Sequence, residues 1–117
     1  MASKHIKGVF AAAAATVQEV PIFVNGAGAN AQVSVGAEDQ LVIEDLNVST
    51  TVAGVIHVFH GVDGTNTDPW RTLFNGEIVG TRASPFAGLR VLPKGHKIFV
   101  IGPATGTCYV QVFGVIN

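Results

Sequence analysis

From residue 17 onward, apolar and polar positions alternate in short runs separated by turn-forming residues. The runs VQEVPIFV (17–24), AQVSVG (31–36), QLVIEDLNVS (40–49) and AGVIHVFH (53–60) read as strands. So do WRTLFNGEIV (70–79), FAGLRVL (86–92), HKIFVI (96–101) and TCYVQVFGVI (107–116). Between them lie NGAGAN, GAED, GVDGTNTDP, GTRASP, PKG and GPATG, each supplying Gly, Pro, Asn or Asp where the backbone must reverse. This spacing predicts an all-β fold, a single antiparallel β-sandwich of about eight strands, jelly-roll-like in outline. Residues 9–16, VFAAAAAT, break the pattern. Alanine favours helix, so a short helix is one expectation, and an extended arm of small side chains is the other. The chain divides into residues 1–30, an N-terminal arm and first strand, and residues 31–117, the sandwich.

The strand faces carry a second message. In 107–116 one face reads Cys108, Val110, Val112 and Ile116, and the other reads Tyr109, Gln111, Phe113 and Val115. Strand 96–101 likewise sets Ile98 and Val100 against Phe99 and Ile101. A strand exposed on one side should alternate apolar with polar, so apolar residues on both faces require a second cover. Composition points the same way, with 48% hydrophobic and only 13% charged residues, where about 25% charged is usual. In 117 residues little chain is spare, which predicts a subunit interface as the cover. Phe10, Phe99, Tyr109 and Phe113 are the apolar candidates for it. Trp70 and Arg71 join them, because these residue types are enriched in interface hot spots.

Charge and chemistry remove other function classes. A net charge of −1 with scattered lysines and arginines gives no field to attract nucleic acid. No apolar run approaches the roughly 18 residues of a membrane span. MASKHIKGVFAAAAATV has the outline of a signal peptide, but its apolar part is weakly hydrophobic alanine, and no export signal is expected. The single cysteine, Cys108, cannot form an intrachain disulfide and reads as a small buried hydrophobe rather than a nucleophile.

The stretch HVFHGVDGTNTDPW (57–70) concentrates the remaining candidates. His57 and His60 are three apart, so on a strand they face opposite ways and cannot share a metal without a bulge. A cupin-like metal site needs a different spacing, and PKGH (93–96) matches its later motif only loosely. The Asp63–Asp68 loop offers oxygen ligands, yet lacks the glycine and glutamate positions of a calcium loop, and a turn is the expected reading. NGAGAN lacks the third glycine of a dinucleotide loop, and Glu38, Asp39, Glu44 and Asp45 form no convincing glycosidase pair. The expectation is therefore not an enzyme, with no cofactor, no metal and no small-molecule substrate.

VSVGAEDQLVIEDLNVST, followed by a hydrophobic strand pair and then RVLPKGHKIFVIGPATGTCYVQVFGVIN, resembles small jelly-roll proteins of tailed-bacteriophage virions. The likeness, to capsid decoration (cement) proteins above all, covers about residues 32–117 and lies in strand order, the Leu-Pro-x-Gly turn and the C-terminal strand. It implies a homotrimer that binds the major capsid protein on the virion surface, after assembly in the bacterial cytoplasm. It also implies that residues 1–30 are an arm touching the shell or a neighbouring subunit. The alternatives are a receptor- or glycan-binding spike or fibre-head module and, further off, a cupin-like metal-dependent enzyme.

Overall fold

The computed structural model describes residues 4–24, 31–83 and 89–117, with side chains of 79–83 left aside. The NGAGAN turn and the start of the 86–92 strand lie outside the described residues. Nine strands follow in order: β1 (Lys4–Ala12), β2 (Gln18–Glu19), β3 (Ile22–Val24), β4 (Gln32–Val33) and β5 (Leu41–Gly61), then β6 (Thr72–Ala83), β7 (Arg90–Val91), β8 (Lys97–Ile101) and β9 (Cys108–Ile116). One 3₁₀ turn, Pro69–Arg71, leads into β6. All pairings are antiparallel, in the order β2-β8-β5-β9-β1-β3-β4, with β6 and β7 also on β5. The fold is all-β, as the alternation predicts, and its curled sheet is compatible with a jelly-roll-like sandwich.

The 21-residue β5 organises the sheet. One edge gives residues 41–50 to β9 and residues 57–61 to β8, while β6 and β7 take the other edge. Sequence reading splits this element in two, one strand ending at residue 49 and the next beginning at residue 53. Instead the strand bends there, and its register against β6 shifts between Thr50 and Gly54. Gly54 is required at the bend, since a Cβ on it would lie 2.5 Å from Pro103 Cγ in the β8–β9 connection.

A bulge between Ile43 and Asp45 keeps the apolar set in phase. Leu41, Ile43, Leu46, Val48, Ile56 and Val58 all face inward as a result, meeting Ile98 and Val100 of β8 and Val110 and Val112 of β9. Each such side chain contributes about 1.5–3 kcal/mol by leaving water.

Residues 4–12 are extended, not helical. They form β1, paired with β9 from Lys4↔Ile116 to Ala12↔Cys108 and with β3 on its other side. Helix propensity loses here because an alanine run has no apolar stripe to bury, whereas two strand edges offer a full ladder of backbone hydrogen bonds. Phe10, opposite Val110, packs against the core from the inner face, so it does not point outward as an interface residue should.

Candidate functional site

Two regions gather the residues that could act: a buried histidine pair at one end of the sheet, and the outer face of β1, β9 and the first half of β5.

The first begins with strand parity. His60 continues the inward row of Ile56 and Val58, and His57 falls on the opposite face beside Phe59, with ring centroids 4.9 Å apart. His57 Nε2 lies 3.0 Å from Thr72 Oγ1. The two histidines of H-x-x-H therefore diverge, as their spacing predicts. The partner of His60 comes from 36 residues away: His96, placed just before β8 by the Pro93–His96 turn, sets its Nδ1 2.8 Å from His60 Nδ1. Exposure is 2% for His60 and 6% for His96.

Trp70 closes this end, its ring edge-on to His60 at 5.4 Å and 6.0 Å from His96. The Arg71 guanidinium sits 4.6 Å over the Trp70 ring, and its Nε is buried without a hydrogen-bond partner. Arg90 reaches the Thr72 carbonyl at 3.4 Å. Burial holds the His60 pKa down, to about 4, and His96, Arg90 and Arg71 push the same way against a backbone hydrogen bond with Trp70. Burial and then Arg71 also lower His96. At neutral pH both rings are neutral, so one nitrogen donates and the other accepts a single shared proton. Guanidinium groups that disfavour a second proton also disfavour a metal cation, and among the described residues no three His, Cys, Asp or Glu side chains converge.

The loop between His60 and Trp70 folds on its own side chains. Asp63 Oδ1 accepts from Thr65 Oγ1 at 2.7 Å and from the Thr65 backbone N–H at 3.1 Å. Those bonds hold the Asp63 carboxyl below its ordinary range. Asn66 Oδ1 accepts from the Asp68 N–H at 2.9 Å. Two of the oxygens that suggest a calcium loop in the sequence, Asp63 Oδ1 and Asn66 Oδ1, are engaged in turns.

This loop also covers a face. Phe99 of β8 stacks on Phe59 at 5.7 Å, and the two are 5% and 0% exposed. Gly64, at φ +76°, lies so close that a Cβ on it would stand 2.9 Å from the Phe99 ring and 3.0 Å from Val17. The expectation that Phe99 faces another subunit is thus corrected. Its cover is the chain's own loop, which sequence distance from Phe99 concealed.

The second region has no cover among the described residues. Cross-strand register assembles one outer row from Val91, Val42, Val115 and His5, and the next from Asp45, Phe113, Lys7, Phe23 and Gln32. Lys7 Nζ stands 5.6 Å over the Phe113 ring. Two further rows place Asn47 beside Gln111 and Ser49 beside Tyr109, and these four with Val48 line a groove of about 460 Å³. Tyr109 and Phe113 thus both point outward, and Tyr109 is 43% exposed. Trp70 is 54% exposed and Arg71 half-buried, both at the histidine end and away from these rows.

Cys108, by contrast, is buried in the core, and burial raises its thiol pKa, so it stays protonated at neutral pH.

No protein-family model, no curated protein and no solved structure matches the chain.

Proposed function

We propose that this chain is a structural subunit of a virion shell, a decoration (cement) protein that assembles as a homotrimer and binds the major capsid protein. The carrying observation is the open outer face, with Val42, Val91, Phe113 and Val115 on a sheet whose charges there are Asp45 and Lys7, with Glu44 exposed at the bulge between the two rows. An apolar, charge-poor sheet face is suited to a protein partner.

Size favours several copies acting together. The face spans β7, β5, β9, β1, β3 and β4, about 24 Å across at the usual strand spacing. From Tyr109 to Val115 it runs about 20 Å along β9. That footprint, about 500 Å² before side-chain relief, is smaller than the roughly 800 Å² per partner of a standard stable interface. One copy alone grips weakly, and a trimer binding a symmetric shell multiplies the effective affinity. The action is mechanical and non-enzymatic: area buried between neighbouring shell subunits opposes their separation.

Particles of the encoding virus test this directly. The chain should be found on the shell surface, and shells lacking it should rupture at lower temperature. Particles that neither contain nor bind the chain overturn the reading.

A further inference from the structure

The groove on the outer face has a chemistry distinct from the apolar rows beside it. Its described lining side chains, Asn47, Ser49, Tyr109 and Gln111, are uncharged; Asp45 and Lys7 belong to the row of Phe113, and Arg82 of β6 is in register with the inward-facing Val48. Two carboxamides and two hydroxyls can each donate and accept, which matches sugar hydroxyls, groups that also do both. The described lining carries no charge to compensate an anion for leaving water, which disfavours phosphates and carboxylates.

Register fixes the spacing. Asn47 stands opposite Gln111 and Ser49 opposite Tyr109, about 5 Å apart across the strands, with about 7 Å between the two pairs along them. The polar groups thus frame a footprint suited to one sugar ring. None of the four is hydrogen-bonded through its side chain to another described residue.

Tyr109 supplies the apolar platform. Its cross-strand neighbours are Ser49 on β5 and Ala11 on β1, side chains too short to cover a phenol ring. The ring stands clear, half in solvent, where the C–H face of a sugar can lie on it. The groove volume of about 460 Å³ falls within the usual range for small-ligand sites.

We propose that this groove binds a neutral saccharide, with Tyr109 as the stacking platform and Asn47, Ser49 and Gln111 as the hydrogen-bonding rim. The site does not depend on shell binding, which uses the apolar rows ending at Val91, Val42 and Val115.

The test is an amide NMR titration of the full chain with glucose, galactose, mannose and N-acetylglucosamine at millimolar concentration, with sodium phosphate as the anionic control. The expected result is shifts confined to residues 47–49 and 109–111 with at least one sugar. Tyr109→Ala and Gln111→Ala should each weaken binding about tenfold, the loss expected for one good contact. Native mass is measured on both variants, and Gln111→Ala should lose sugar binding without changing it. The proposal is overturned if no sugar shifts these amides, if shifts survive both variants, or if phosphate alone binds. A variant whose mass changes while sugar binding is untouched also overturns it, making the groove a subunit contact.

Discussion

The two halves of the sheet carry outer faces of similar character that end up in different environments. Where β8 pairs with the end of β5, Phe59 and Phe99 stack and are sealed by Gly64, Val17 and the loop from Val62 to Asp68. Where β9 pairs with the start of β5, Phe113 and Tyr109 stand on a surface that no part of the described chain covers. The difference teaches that apolar residues on both faces of a strand announce a second layer without saying which chain provides it. Both strands carry apolar residues on both faces. The determinant is whether a loop of the right length and turn chemistry lies within reach, as GVDGTNTDP does for β8.

Breaking the covered face should have the largest effect. Phe59→Ala removes a ring with no exposed surface and leaves Phe99 without its stacking partner, so urea denaturation should show a loss of about 3–5 kcal/mol. A loss below about 1 kcal/mol would mean that the loop does not seal a true second core.

The histidine pair tethers the same loop and gives it an acid limit. The folded-state pKa of His60 lies near 4, below its ordinary value of 6.5. The unfolded chain therefore binds the extra proton more readily. The contribution is fully present above pH 6.5 and is lost as pH falls from there through about 4. The loss should be on the order of 2–3 kcal/mol, discounted for coupling to His96. Unfolding midpoints from pH 7 to 4, followed by fluorescence of Trp70 against the pair, check it, with His60→Gln flattening the dependence.

Gly64→Ala comes next, because it needs a residue with φ +76° to hold a Cβ against Phe99 and Val17. It should cost about 1–3 kcal/mol, by denaturation, and raise amide exchange across residues 62–68 first.

The open face predicts the smallest effect on stability. Phe113→Glu sets a carboxylate between Lys7 and Asp45 on a half-exposed position, attraction to the one offsetting repulsion from the other, and the folding free energy should stay within about 1 kcal/mol of wild type. Assembly, not folding, should respond.

What the sequence makes legible follows from how local each cause is. Short β-branched and aromatic runs bounded by turn residues, HKIFVI and TCYVQVFGVI, are enough for β8 and β9, and the opposed faces of His57 and His60 follow from a period of two. The single β5 is hidden because a bend that keeps its hydrogen bonds looks, in Thr51–Gly54, like a turn that breaks them. The strand β1 is hidden because its alanines carry no alternation, and its place is set by the free edges of β9 and β3. Likewise His60 and His96 meet only because the Pro93–His96 turn and the β5–β8 register bring them together, and no spacing motif records that. Phe99 looks like an interface residue until the loop above it is placed. Phe113 has the same sequence signature and no such loop.

The most direct test of the open face as the shell-binding surface is co-sedimentation of the wild type and of Phe113→Glu with shells lacking the chain, with native mass taken on both. Binding by the wild type and its loss in a folded Phe113→Glu of unchanged mass is the predicted pair of results. A wild type that does not bind, or a variant that binds as well as the wild type, contradicts shell binding through this face.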